Sequence, residues 1–435
     1  PNASSPLEPR VVIVYKVKVI KRDPPIFKPP TTRMKVRFAK QQDIDLLNQT
    51  IKPEHRVLAG FLYSSAKPDD PNSWIPLYYD ARYLAGPEGA HININGKSGL
   101  AAKTTYALFT IFSFIHWAMK NGEKVAVIAF NVKQCDLFRI ASILQLNSWN
   151  DVENLINKYF SNRPEVAKAN IGMWRRIKQE FDLNSPSDLI PKDNKGNPMV
   201  YFWTYSSNDP CAQSKPISPN IFSYGIGDLT LEELEEVLSG GEYDSLTSAQ
   251  RDFVYQLARY ITSQISQGRN ITFNRLLNDA WSFINGQASR SNIFSQVGGR
   301  TVSDRTKKVI ARKVVEFLER NRDFGLQMSG TLGNPIRSDN IHEGINIIQL
   351  DLPAPIQRLV FSSVLRQVSE LQRSTNRVDH ILIFVDELTK FAPRQLESSI
   401  KVLVKAAAAR ARRLNTGLYG GHPVAHSLYA EDYGI

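Results

Sequence analysis

His91–Thr105 reads HININGKSGLAAKTT, and the rest of the chain is best understood outward from it. Ile92 and Ile94 alternate with polar residues, as in a strand with one buried face, and the alternation stops at Gly96. Ser98, Gly99, Leu100, Ala101 and Ala102 follow, and Lys103, Thr104 and Thr105 then open an apolar helical run, YALFTIFSFIHW. A strand, a tight turn of small residues and a helix beginning with Lys-Thr outline a phosphate-binding loop, because small side chains let backbone N–H groups encircle phosphate oxygens at a helix N-terminus. In such a loop the lysine reaches the terminal phosphates and the threonine hydroxyl can ligate Mg²⁺. The spacing departs from the usual G-x-x-x-x-G-K-[ST]: Ala102 precedes the lysine, and Gly96 lies one position too far upstream. Strand-to-helix turns rich in Gly, Ser and Ala occur in many α/β proteins, so the loop alone leaves both readings open.

The segments around it supply a parallel sheet. Lys124–Phe130, KVAVIAF, is a continuous apolar run suited to a strand buried on both faces. It ends in NVKQCD, which puts Asn131, Lys133 and Asp136 at the carboxyl edge where open α/β sheets meet their ligands. Gly344–Leu352, GINIIQLDL, is a second apolar strand, and Gln357–Arg373 has helical periodicity. His380–Leu388, HILIFVDEL, then delivers Asp386 and Glu387 to the sheet edge. Two carboxylates there are costly to leave unpaired. Mg²⁺ and a nucleophilic water would partner them, Asp386 supporting the metal and Glu387 polarising the water. A plain strand terminus with a helix N-cap is the competing reading, and the lysine loop in the same α/β unit weighs against it.

Outside this unit the character changes. Arg10–Lys21, Met34–Phe38, Arg56–Tyr63 and Trp74–Tyr79 read as short strands separated by turn signals, which predicts a small β-barrel over 1–80. In residues 1–60 twelve Lys/Arg stand against five Asp/Glu, so this unit is basic. The core is expected over 81–139 and again over 338–435, with a largely helical insertion at 140–337 between them. In the insertion, Thr230 and Glu233 make a capping-box pattern ahead of Leu231, Leu234, Val237 and Leu238, and Ser248–Ile265 and Asp304–Arg322 are also helical. Leu189–Pro219 is expected to be rich in loops. Lys401–Arg413, KVLVKAAAARARR, is an Ala-rich helix whose Arg410, Arg412 and Arg413 either complement its dipole or reach a neighbouring subunit's γ-phosphate.

Composition limits the class. The chain has 435 residues, 42% of them hydrophobic, enough for more than one domain with a sizeable core. A formal charge of +12 favours a polyanionic partner such as nucleic acid. Cys135 and Cys211, the only cysteines, lie in no C-x-x-C pair, which suits a reducing cytosol and argues against both a disulfide framework and a thiolate zinc site. His422 and His426 have i, i+4 spacing but no companion ligand. No run approaches the ~20 apolar residues that span a bilayer. Tyr106–Met119 is too short and carries His116. PNASSPLEPR lacks the pattern of a signal peptide, so a cytoplasmic protein without membrane attachment is expected.

The loop GKSGLAAKT (96–104), the strand and turn VIAFNVKQCDL (127–137), the strand IFVDELTKFAPR (383–394) and the helix ARARRLNTG (409–417) together resemble the HerA/FtsK superfamily of P-loop motor ATPases, most of all bacterial HerA-like proteins of the anti-phage defence type. The one-residue-longer loop is itself similar to a variant of that family. The resemblance implies an α/β, RecA-like P-loop ATPase core with an N-terminal small β-barrel and a helical insertion. It implies a homo-oligomer, usually a hexamer, with ATP and Mg²⁺ at subunit interfaces and double-stranded DNA through the centre. By that resemblance residues 96–105 cradle ATP, Lys103 binds the β- and γ-phosphates, Thr104 and Asp386 hold the metal, Glu387 activates water, and one of Arg410, Arg412 and Arg413 acts in trans. It also implies an effector such as a nuclease or a sirtuin-like NAD hydrolase, docked on the barrel. Where the family carries a polar sensor, often Gln, this chain reads GLYGGHPVAHSLY and offers His422. Two functions follow as alternatives: a DNA translocase or helicase subunit, or an ATP-binding ring that organises an effector without moving DNA. A secretion or conjugation ATPase of the same superfamily is disfavoured by the lack of an apolar span.

Overall fold

The computed structural model describes residues 50–63, 67–85, 91–95, 102–213, 216–299, 301–373, 377–386 and 416–422, with the single positions 42 and 45; for 91, 93, 95, 102, 212, 213, 372, 373 and 416–422 it describes the backbone. In chain order β1 (Arg56–Tyr63) and β2 (Trp74–Asp80) precede the short α1 (Ala81–Ala85). Then come β3 (His91–Asn95), α2 (Ala102–Lys120) and β4 (Val125–Asn131). A 3₁₀ helix (Leu137–Gln145) leads to α3 (Trp149–Tyr159), α4 (Pro164–Glu180), β5 (Val200–Thr204), α5 (Pro210–Gln213) and β6 (Asn220–Ile221). Next are α6 (Leu231–Leu238), α7 (Ser248–Ser266), α8 (Phe273–Ile284), α9 (Ile293–Gln296) and α10 (Asp304–Asn321). The chain returns through β7 (Gly344–Gln349), α11 (Ala354–Arg373), β8 (His380–Asp386) and β9 (Thr416–His422).

Among the described residues β3–β9 form one sheet in the order β3-β9-β8-β4-β7-β5-β6, with every pairing parallel. Its centre is apolar on both faces, which is why β4 and β8 read as unbroken hydrophobic runs. Ala126, Ile128 and Phe130 of β4, with Ile381, Ile383 and Val385 of β8, point into one core. Val125, Val127 and Ala129, with Leu382 and Phe384, point into the other. Alternate side chains of a strand face opposite sides, so each strand feeds both cores. Helices α6–α8, α10 and α11 cover the first face, and α1, α2 and the 3₁₀ helix cover the second.

The helices of the insertion region start where the sequence marks them. Thr230 and Glu233 make a reciprocal capping box at α6, and Thr247 with Gln250 does the same at α7. The region is not wholly helical, however. Val200–Thr204, VYFWT, lies inside the stretch expected to be loops, yet it pairs with β7 and extends the sheet, and β6 continues the edge. A five-residue strand set among Gly, Pro and Asn is hidden by its turn-rich flanks, and only its place beside β7 reveals it. Insertion helices α6–α10 share one core with β4 and β8, whereas α3 and α4 form a small cluster of their own from Val152, Ile156, Ala167 and Ile171.

Of the strands expected over 1–80, β1 and β2 lie within the described residues and form an antiparallel hairpin; Arg10–Lys21 and Met34–Phe38 lie outside them. The hairpin packs on α2 and, through its connecting loop, on α4. Trp74 Nε1 donates to Pro68 O at 3.1 Å, and Tyr78 donates its hydroxyl to Glu180 at 2.9 Å. Gly172 of α4 sits against the same loop, and a Cβ there would lie 2.1 Å from Pro68 O and 2.7 Å from Trp74 Nε1. Alanine normally gains about 0.5–1 kcal/mol over glycine inside a helix. Here the backbone clash outweighs that gain, and Gly172→Ala is expected to destabilise the protein by about 1–3 kcal/mol, read from urea unfolding midpoints. A more stable variant would mean that α4 does not press on the hairpin.

Candidate active site

Strands β3 and β8 flank β9 and end together at the carboxyl edge: Asn95 is in register with His422, and Asp386 with Gly421. The chain leaves β3 through residues 96–101, which lie outside the described residues, and re-enters as α2 with Ala102 as its first residue. Lys103 and Thr104 are half-buried in the first turn of α2, and Thr105 is exposed. Thr104 donates its hydroxyl to Asp386 Oδ2 at 3.3 Å, joining residues 282 positions apart. The Lys-Thr helix start and the carboxylate strand, recognised separately in the sequence, therefore meet in one place.

Asp386 is buried, with 7% of its surface exposed. Its Oδ1 is also buried and has no hydrogen-bond partner among the described residues. Besides Thr104, Oδ2 receives Lys133, whose Nζ lies 3.7 Å away. A buried carboxylate oxygen without a donor costs about 1–3 kcal/mol, and an ion pair with a lysine whose side chain is 44% exposed returns about 0.2–1 kcal/mol at most. The balance leaves Asp386 short of positive charge. Mg²⁺ characteristically takes one or two protein oxygens and completes its shell with phosphates and waters. The hydroxyl of Thr104 and the carboxylate of Asp386 fit that demand.

Helix α2 is braced from behind by the hairpin. The Tyr106 hydroxyl donates to Ala59 O at 2.9 Å and accepts from Tyr79 at 2.8 Å. Burial, reinforced by Tyr79, pushes the Tyr106 phenol well above its usual range. This anchor sits two residues beyond Thr104 and fixes the turn that carries it.

A polar lattice that sequence reasoning missed ties the neighbouring strand ends together. Asn131 donates to Gln349 at 2.8 Å and accepts from the Leu137 amide at 3.0 Å. Gln349 donates to the buried carboxylate of Asp209 at 3.2 Å, and the Gln134 amide donates to Asp351 at 2.9 Å. Asn131 and Lys133 were visible as strand-end polar residues; their partners depend on strand order, which no local pattern encodes. The two cysteines correct the sequence reading outright. Cys135 and Cys211 form a disulfide across 76 residues, with their Cα atoms 5.1 Å apart. Both follow parallel strands, β4 and β5, and so leave the sheet at the same edge, which spacing alone cannot reveal.

Of the residues expected in the site, Thr104 and Asp386 are brought into contact, and Ala102, Lys103 and Thr105 share the first turn of α2 with Thr104. Gly96, Ser98, Gly99, Leu100, Ala101, Glu387, Arg410, Arg412 and Arg413 lie outside the described residues. The parallel sheet, in which β3 and β8 flank β9 and helices cover both faces, is an α/β core. No protein-family model matches the chain, and no curated protein matches its sequence. Among solved structures it is similar to the bacterial conjugative coupling protein TrwBdeltaN70 in an unbound monoclinic form, with a TM-score of 0.41 and 11% identity over 91% of this chain and 72% of that one. It is also similar to VirB4 of Thermoanaerobacter pseudethanolicus, with a TM-score of 0.42 and 10% identity over 85% of this chain and 78% of the other. No helix among the described residues is long and apolar enough to cross a membrane.

The disulfide can be checked directly. Thiol titration of the denatured, unreduced protein is expected to find no free thiol, and after reduction the two of Cys135 and Cys211. Two reactive thiols before reduction would contradict the cross-link.

Proposed function

We propose that this chain is the ATP-hydrolysing subunit of a hexameric ring that translocates double-stranded DNA. It works with an associated nuclease or other effector, such as a sirtuin-like NAD hydrolase, docked on the N-terminal barrel, in anti-phage defence or DNA end processing. The observation that carries the reading is the contact of the Thr104 hydroxyl, in the first turn of α2, with the under-neutralised carboxylate of Asp386 at the end of β8. The resemblance of the loop and strand motifs to HerA-like proteins supports the finer part, and the charge of +12 supports a DNA partner.

In this reading the backbone of residues 96–102 wraps the phosphates, and the Lys103 ammonium binds the β- and γ-phosphates. Thr104 and Asp386 hold Mg²⁺, which supplies charge neutralisation of the phosphates when bound. Glu387 accepts the proton of the attacking water. An arginine from Arg410, Arg412 or Arg413 of the adjacent subunit meets the charge that develops on the γ-phosphate, which makes hydrolysis depend on the ring.

The test is the rate of ATP hydrolysis with and without duplex DNA, with Glu387→Gln as the control. The expected result is turnover stimulated by duplex DNA and lowered by about 10²–10⁴ in Glu387→Gln, the range for loss of a general base, together with duplex binding that weakens steeply with salt. Turnover indifferent to DNA would overturn the motor and leave the ring that organises an effector. A monomer that hydrolyses ATP at the full rate would overturn the role of the arginine.

A further inference from the structure

Asp386 already has a cation within its own chain. Strand β4 lies directly against β8, with Phe130 paired to Val385, so the residues that follow β4 leave the sheet beside Asp386. Lys133 is the third of them past Phe130, and its Nζ approaches the same carboxylate oxygen that accepts from Thr104. The backbone that carries Lys133 is pinned. Asn131 hydrogen-bonds Gln134 O, the Gln134 amide is held by Asp351, and the next residue is the disulfide-bonded Cys135. Gln134 itself adopts a positive φ of 41°, a conformation that such surrounding contacts must maintain. The lysine side chain is 44% exposed and the Asp386 side chain 10%, so the ammonium can swing into solvent while the carboxylate stays.

We propose that Lys133 is a built-in counter-cation that competes with the divalent metal for Asp386. The inference rests on the ATP-site reading above. With no metal bound, the ammonium partly neutralises a carboxylate that is expensive to bury alone. A divalent ion at Asp386 repels the ammonium, so binding the metal requires Lys133 to give up its contact. Metal loading is thereby made weaker than the donor set alone allows, and it becomes dependent on the negative charge that nucleotide phosphates bring.

The competition is read in binding. A fluorescent ADP derivative is titrated into the full chain in EDTA and again in excess Mg²⁺, and the ratio of the two dissociation constants measures how far the metal strengthens nucleotide binding. Removing a competitor must enlarge that ratio. Lys133→Met and Lys133→Gln, with their fold checked by circular dichroism, are each expected to raise it about two- to fivefold, the scale of a half-exposed ion pair. Lys133→Arg keeps the charge and is expected to leave it as in the wild type. An unchanged or smaller ratio in the neutral variants overturns the competition. Equal weakening with and without Mg²⁺ also overturns it and makes Lys133 a phosphate ligand instead. Wild-type protein that binds no nucleotide removes the ATP-site reading, and this inference falls with it.

Discussion

The contact between the Thr104 hydroxyl and Asp386 Oδ2 depends on almost everything else in the fold. Thr104 is placed by the first turn of α2, and that turn is held by the hydrogen bonds of Tyr106 to the hairpin. Asp386 is placed by β8, a central strand whose seven residues are all buried. Strand β9 lies between β3, after which α2 begins, and β8. A shift of β8 by one residue would turn Ile381, Ile383 and Val385 out of the core they share with the insertion helices. The register that buries the apolar residues is thus the register that presents the carboxylate.

The cost of Asp386 is concentrated where the chain can least absorb it. Its buried Oδ1 has no donor among the described residues, and the ion pair at Oδ2 reaches a partly exposed ammonium that solvent screens. Ordinary packing removes such groups, because an apolar residue at a strand end would be more stable. A polar group kept at such a cost, next to a helix N-terminus and a lysine, is the observation on which the proposed metal site rests.

How much was legible in the sequence follows from range. The unbroken apolar runs of β4 and β8, the capping box at Thr230 and the Lys-Thr helix start are local, set by neighbours within a few residues, and they appear in the structure where the sequence puts them. The candidate site was half-legible: Lys103, Thr104 and Asp386 were each marked by local motifs, while the contact of Lys133 with Asp386 needs β4 beside β8. Strand β5 escaped because five residues among turn formers carry too little periodicity.

The disulfide shows the same limit with an instructive sign. Two cysteines outside any C-x-x-C pair read in the sequence as thiols of a reducing compartment, yet they pair across 76 residues. In a parallel sheet, however, every strand delivers its following loop to one edge, so residues far apart in sequence are gathered there whenever they follow strands. Cys135 and Cys211, Lys133 and Asp386, and Gln134 and Asp351 are all pairs of this kind. The topology that concentrates strand ends at one rim makes the start of α2 and the end of β8 meet, and it gives the same rim its cross-link and the ion pair of Lys133 with Asp386. Chemistry at that edge therefore has to be read from strand order, with local motifs naming only the participants.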